Sequence, residues 1–212
     1  MTEWTDNPVI ILYDYFTSPV YGKGLSSSDL DNFNAGVNYC AALVNDHDGG
    51  EGGTPAYIKR NRFNGVIDTT KPVKSNVEAI LFSMYGSLPW VNGKYKLVIE
   101  RDDKTAAITF DENSIKGNFQ VKESGIKTSA NKILYKFIDP LINHTESTAY
   151  YPDTTIAAEA ITDAALLAED QGRRLQKTIT NKYEISRYRA KNYAQTMVKK
   201  SRDQISISFE AS

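Results

Sequence analysis

Few residues in this chain of 212 stand in a pattern that could do chemistry. The two histidines, His47 and His144, have no serine or cysteine near them in a recognisable nucleophile context, so neither predicts a catalytic triad. The single cysteine, Cys40, belongs to an apolar helical stripe and is interpreted as a core side chain rather than a reactive thiol. One thiol cannot form an internal disulfide, and two histidines with one cysteine are too few ligands for an ordinary structural zinc site. We predict no catalytic, cofactor-binding or metal-binding residue.

The carboxylates offer a weaker possibility of chemistry. Asp102-Asp103 and Asp111-Glu112 are interpreted as turn residues, although a glycosidase-type carboxylate pair remains open. The glycine-rich segment 47–55 has acids around it, but their spacing lacks the ligand set of an EF-hand loop. No GK[ST] follows that segment, and the chain contains no GxSxG, HExxH or CxxC. The sequence therefore predicts a protein that is not an enzyme, with a cell-wall hydrolase kept as an alternative.

Charge is concentrated near the C-terminus. Segment 173–202 has Glu184 as its only acid, so it carries about +9, and the remainder carries about −10 to reach the net charge of −1. This asymmetry predicts complementarity between subunits or an acidic partner, and a solvated helix face is the alternative. We expect Arg187, Arg189 and Lys191 to face such a partner. A nucleic-acid-binding module using this segment is the other alternative. The segment has ten basic residues: Arg173, Arg174, Lys177, Lys182, Arg187, Arg189, Lys191, Lys199, Lys200 and Arg202.

The first predicted element is an N-terminal helix. Asn7 can cap it with Pro8 at the first position, and residues 9–16 continue it into a Pro/Gly turn over residues 19–24. The four residues VIIL alone are equally compatible with a strand. Because apolar residues lie on most sides of this short helix, we expect burial on more than one face. Tyr15 and Phe16 are accordingly predicted to lie at an interface.

The remaining elements alternate between helices and strands. Ser28 and Asp31 resemble a capping box ahead of a helical stripe from Leu30 to Val44, and Thr70 is predicted to cap a helix over 71–85. Asn92-Gly93 predicts a type I′ hairpin within 90–99. Further strands are expected at 56–68, 106–110, 117–123, 131–138 and 204–209, and further helices at 155–171, where Thr155 is the expected cap, and at 186–200.

Composition places the chain among ordinary globular proteins. Apolar residues make up 41% and charged residues 24%, which is not the signature of disorder. No apolar run approaches the ~20 residues that a membrane helix needs, and no basic segment precedes the first apolar run as in a secretory signal. The pattern of elements predicts an α+β fold, with mixed helices and an antiparallel sheet.

The segment NPVIILYDYFTSPVYGKG at residues 7–24 is the first of six short motifs that follow one another along the chain. In this order the motifs resemble the tail-tip attachment, or host-specificity, protein of lambda-like siphophages, in which an NP–apolar–YD–LTNP–YG–G segment opens a hub domain. The loop 48–57 departs from the family because Thr54 and Ala56 replace the acid and base that flank its proline. The other matching positions are Tyr39-Cys40, Asp48-Gly49, Met84-Tyr85-Gly86 with Trp90-Val91-Asn92-Gly93, Asn113 to Phe119, and Lys132 to Pro140.

The resemblance implies a structural role in a virion, at the tail tip, after assembly in the host cytoplasm. Members form a homotrimeric hub that closes the distal tail tube. They meet tail-tube and other tip proteins, surround the end of the tape-measure protein and carry fibre domains that are not in this chain. On this basis we expect a hub domain over 1–140, a variable, partly helical insertion over 141–182 and a returning helix and strand over 183–212. Arg187, Arg189 and Lys191 would then face an acidic partner or the tail lumen.

Overall fold

Helices and short strands alternate along the chain, which places it in the α+β class. The computed structural model describes residues 4–46, 56–101, 115–123, 128–202 and 205–211. These residues form two compact units. Unit 1 comprises residues 1–100, 137–147 and 181–189, and unit 2 comprises residues 101–136, 148–180 and 190–212. The units do not follow the boundaries predicted from the sequence, at 140 and 182.

Three helices build the core of unit 1: α1 (Pro8–Thr17), α2 (Phe33–Ala41) and α3 (Val73–Phe82). The prediction of a helix over 9–16 with an Asn7 cap is confirmed, because the Asn7 side chain accepts a hydrogen bond from the Val9 N–H at 3.0 Å. The buried apolar residues of this core are Val9, Leu12, Phe16, Phe33, Cys40, Phe63, Ile80, Met84, Leu97 and Ile99.

Two predicted helix starts in unit 1 are wrong. The capping box forms at Ser26 and Asp29 and begins a 3₁₀ turn (Ser27–Asp29), and β1 (Leu30–Asp31) then separates this turn from α2. Thr70 does not cap α3, because its N–H and hydroxyl both bind the Asp68 carboxylate. The helix starts only after Pro72, since the residue before a proline is disfavoured in the helical conformation.

Short strand pairs complete unit 1. The predicted hairpin is confirmed as β5 (Trp90–Val91) and β6 (Lys94–Lys96), joined by Asn92 and Gly93 at φ values of 52° and 77°. On its other side, β6 pairs in parallel with β1. Two further antiparallel pairs join β2 (Leu43–Asp46) to β3 (Ala56–Lys59), and β4 (Gly86–Ser87) to β7 (Val98–Ile99).

A three-stranded sheet has the order β10 (Thr145–Tyr151), β9 (Lys132–Asp139), β11 (Gln176–Thr180). The predicted inward face of β9 is confirmed, because Ile133, Tyr135 and Phe137 are buried. In unit 2, β11 pairs in parallel with β9, from Gln176 opposite Lys132 to Thr180 opposite Lys136. Residues 176–180 are thus a regular part of a sheet, within the range 141–182 where the resemblance implied an insertion.

Two α-helices, a two-stranded ribbon and a 3₁₀ turn (Pro140–Ile142) account for the remaining regular structure described. The helices are α4 (Ala157–Glu169) and α5 (Arg187–Arg202), close to the predicted ranges, although Ile156 rather than Thr155 occupies the cap position of α4. The ribbon joins β8 (Ile115–Glu123) to β12 (Ile205–Ala211) in antiparallel pairing. The strands predicted at 117–123 and 204–209 are thereby confirmed, whereas their pairing was not predicted. The predicted strand at 106–110 and the glycine-rich segment 47–55 lie outside the described residues.

Candidate assembly surface

The inward face of α1 contains both residues that were predicted at an interface. Tyr15 and Phe16 are only 2% and 5% exposed. The Tyr15 hydroxyl accepts a hydrogen bond from the Asn76 side-chain amide at 3.0 Å, and Phe16 stacks on Tyr95 with ring centroids 5.8 Å apart. This placement corrects the prediction. Both side chains belong to the core of unit 1, because the apolar face formed by Val9, Leu12 and their neighbours turns them inward.

The turn after α1 folds back on the last turn of the helix. The Lys23 N–H binds the Tyr15 carbonyl at 3.1 Å, and the Leu25 N–H binds the Phe16 carbonyl at 2.9 Å. A Cβ at Gly22 would lie 1.9 Å from the Tyr15 carbonyl oxygen, so only glycine allows this approach. Gly24 has φ +62°, which also favours glycine. The glycines of this motif are therefore explained by backbone geometry.

The outer face of α1 presents aromatic and aliphatic side chains to solvent. Ile10 and Tyr13 are 39% and 38% exposed. Tyr21, also exposed, donates a short hydrogen bond from its hydroxyl to the Asp14 carboxylate, and this bond raises the pKa of Tyr21. Tyr21 is thereby held beside the outer face of α1.

The hairpin exposes a further aromatic side chain of unit 1. Trp90 is 58% exposed and packs edge-on against Tyr95, with ring centroids 4.6 Å apart. Since Tyr95 stacks in turn on Phe16, the exposed indole connects directly to the core beneath α1. We call the set Ile10, Tyr13, Tyr21 and Trp90 the α1–hairpin surface. Exposed aromatic groups on a rigid base are typical of the centres of protein interfaces.

The three basic residues predicted to face a partner have three different environments. Arg187 is exposed in the first turn of α5. Arg189 is buried in unit 1, where its guanidinium forms an ion pair with Glu184 at 2.8 Å and donates to the Lys59 carbonyl at 3.4 Å. Glu184 is itself fully buried and accepts hydrogen bonds from the N–H groups of residues 185 and 186. Arg189 therefore holds the start of α5 in unit 1 and lies away from any exposed surface.

In unit 2 the basic segment finds its acidic partner within the same chain. Lys191 contacts the Glu159 carboxylate at 2.9 Å, and Arg174 makes two hydrogen bonds to Asp163 at 2.6 and 2.8 Å. Arg202 binds Asp170 at 2.8 Å and Glu169 at 2.6 Å. The uneven charge of the sequence is thus partly neutralised by helix α4. This pairing reduces the positive charge that the segment can present to a nucleic acid.

A cavity of about 480 Å³ lies in unit 2, between α4 and the C-terminal part of α5. Its charged rim groups include Glu169 and Arg202, which pair with each other, so they do not form an acid–base pair free for catalysis. The lining residues are Ser129, Tyr151, Thr162, Leu166, Glu169, Val198, Lys199 and Arg202.

The single cysteine lies in the core of unit 1. Burial raises the pKa of the Cys40 thiol to about 12, so it is protonated at neutral pH. Across these residues, no three His, Cys, Asp or Glu side chains come together as a metal site requires. Within the same ranges, no helix has the length and apolar content to cross a bilayer.

Comparison with known proteins does not assign the chain to a family. No protein-family model matches it, and no curated protein shows significant similarity to it.

The residues of the α1–hairpin surface were not predicted as exposed. Ile10, Tyr13 and Tyr21 belong to the motif at residues 7–24, but apolar residues lie on most sides of α1, so periodicity could not select its outer face. Trp90 was noted only as part of a hairpin. No local pattern shows that Trp90 lies in a two-residue strand at a sheet edge, where its side chain is left partly uncovered.

Proposed function

We propose that this chain is a structural component of a siphophage tail tip, a hub domain that forms a homotrimer and closes the distal end of the tail tube. In this role it connects the tube to tip or fibre proteins and surrounds the end of the tape-measure protein, without catalysing a reaction. One observation carries the proposal: six short motifs occur in the order found in the lambda-like tail-tip attachment family, beginning with residues 7–24.

The geometry of the first motif supports this reading over an enzymatic one. Asn7 caps α1, Asp14 accepts the Tyr21 hydroxyl, and Gly22 allows the turn to meet the helix. Each of these residues therefore has a role in holding α1 and its turn together, and these roles need no ligand. Residues that specify a rigid surface in this way suit a protein whose function is assembly.

The α1–hairpin surface is the candidate contact with a neighbouring copy. It exposes aromatic side chains that rest on a rigid core, and such groups carry much of the binding energy at interfaces. In a trimer this contact would join different surface patches of adjacent copies around a ring. Burial of Tyr13 and Trp90 against a second copy would give the two-sided burial that the apolar sequence of α1 predicts.

The test compares assembly of the unmodified chain with a Tyr13→Asp/Trp90→Asp variant, using light scattering coupled to size exclusion. We expect the unmodified chain to show three times the 23.7 kDa of one copy, and the variant to remain a folded single copy. Val66→Asp is the control, because Val66 is exposed in unit 1 outside the α1–hairpin surface. A trimeric mass for the variant would contradict the role of this surface, and a single-copy mass for the unmodified chain at high concentration would contradict the homotrimer.

A further inference from the structure

Helix α4 buries a carboxylate and leaves most of its alanines and an isoleucine exposed. Its one buried residue is Asp163, whereas Ile161 is 73% exposed. An ordinary surface helix has the reverse arrangement, with an apolar stripe against the core. Helix α1, for comparison, buries Val9, Leu12 and Phe16. The exposed residues of α4 also include Ala157, Ala158, Ala164, Ala165 and Ala168.

Ion pairs attach α4 to the remainder of unit 2 at both ends and in the middle. Asp163, at the centre, binds the Arg174 guanidinium through both carboxylate oxygens. The first turn contributes Glu159, which pairs with Lys191 while its second oxygen accepts the Asp153 N–H at 2.7 Å. The spacing from Glu159 to Asp163 is four residues, so both carboxylates share one side of the helix.

The C-terminal end of α4 repeats this arrangement. Asp170, which follows the last helical residue, binds the Arg202 guanidinium at 2.8 Å and accepts a hydrogen bond from the Asn131 side chain at 2.8 Å. Glu169 binds the same guanidinium at 2.6 Å. Leu166 and Leu167 are only partly buried, so apolar contact adds less here than in the other helices.

Other elements bring a set of basic side chains to this side of α4, together with the buried Asp153, whose N–H donates to Glu159. The hydrogen bond from Arg174 is the main cause that lowers the pKa of Asp163, and the one from Arg202 is the main cause for Asp170. Both carboxylates are therefore ionised at neutral pH, and their attraction to this basic set weakens only when they are protonated or screened. The set is Lys132 from β9, Arg174 from the segment before β11, and Lys191, Lys199 and Arg202 from α5.

We propose that α4 is a detachable helix, held on unit 2 by its carboxylates and released by high salt or by neutralising them, while the β9–β11 pairing stays intact. Local opening of this kind is expected where few apolar side chains are buried. Once α4 detaches, Arg174, Lys191 and Arg202 lose their carboxylate partners and become available to solvent or to another anion.

Hydrogen exchange read by mass spectrometry on the full chain tests this proposal. Raising NaCl from 0.05 M to 1 M shortens the screening length several-fold, so we expect exchange of the α4 amides to accelerate about ten-fold. Amides of β9 and β11 should change far less. Acceleration of α4 and the β9–β11 pair by the same factor would overturn the proposal, because it would show that α4 opens only with the whole unit.

Neutral variants provide the second arm. Glu159→Gln/Asp163→Asn/Asp170→Asn should give fast α4 exchange already at low salt, with protection of β9 and β11 retained. Glu78→Gln is the matched control, because Glu78 forms an exposed ion pair with Lys74 on α3, a helix that buries Ile80. Unchanged α4 protection in the triple variant would refute the inference. If that variant does not fold, the salt series on the unmodified chain decides the question.

Discussion

Replacing Gly22 with alanine tests whether the turn after α1 depends on its close approach to the helix backbone. The added methyl group would lie 1.9 Å from the Tyr15 carbonyl oxygen and 2.8 Å from the Ser18 carbonyl oxygen. Neither atom belongs to a flexible side chain, so the turn itself must move away from the helix. The hydrogen bonds at risk are Lys23 N–H to Tyr15, Leu25 N–H to Phe16 and Gly24 N–H to Ser18.

These contacts set the expected magnitude. Three backbone hydrogen bonds at about 1 kcal/mol each give a loss of about 3 kcal/mol in the free energy of unfolding. Gly24→Ala is the matched control in the same turn. There the nearest atom to a new Cβ is Pro19 Cα at 3.6 Å, an ordinary contact, and only the positive φ of 62° is unfavourable. That strain costs about 1–2 kcal/mol, so Gly22→Ala should be the more destabilising change.

Urea unfolding followed by tryptophan fluorescence measures the difference. Both tryptophans, Trp4 and Trp90, lie in unit 1, so the signal reports the unit that contains the turn. The midpoint and slope give the free energy by linear extrapolation. If Gly22→Ala lost no more stability than Gly24→Ala, the turn would not depend on the close approach, and the structural explanation of the motif would fail.

Three further predictions concern buried polar groups. Glu184→Gln leaves the buried Arg189 charge without its carboxylate, so unfolding free energy should fall by about 3–5 kcal/mol in urea, and Arg189→Met added to it should recover part of the loss. Equal unfolding free energies for Glu184→Gln and the unmodified chain would contradict a stabilising role of this buried ion pair. Cys40 should resist iodoacetamide at pH 8 in the folded protein and react in urea, as mass spectrometry would show, because burial raises its pKa to about 12. Rapid labelling of the folded protein would count against that. Burial alone raises the pKa of Asp6, but the Lys59 hydrogen bond and nearby positive charge outweigh it and lower the pKa. The stabilising contribution of the ionised Asp6 is therefore present above its unfolded pKa and is lost as the pH falls below about 4. Asp6→Asn should flatten the curve of unfolding free energy against pH in that range. An unchanged curve in the variant would contradict this role of Asp6.

Local signals were sufficient for part of the fold. The Asn7 cap with Pro8, the Asn92-Gly93 turn and the alternation in β9 each depend on residues close in sequence, and the structure confirms all three. The starts of α2 and α3 were wrong because tertiary pairing and a proline decided them. Residues 30–31 join a strand from the distant hairpin, and Pro72 delays α3.

Other features depend on contacts between distant residues. The strand β11 alternates only weakly, and its parallel partner β9 lies more than 40 positions earlier, so no local pattern predicted it. The basic segment suggested an external partner, because the sequence could not show that α4 would supply Glu159, Asp163 and Asp170 to it. The outer face of α1 could not be chosen, since apolar residues surround the helix.

The central claim is the place of this chain in a tail tip. A cryo-electron microscopy reconstruction of siphophage particles that carry the chain tests it most directly. The proposal predicts three copies around the tail axis at the distal end of the tube, with the α1–hairpin surface covered by a neighbouring copy. Particles with the chain absent from the tail tip, or present there with Tyr13 and Trp90 exposed to solvent, would contradict it.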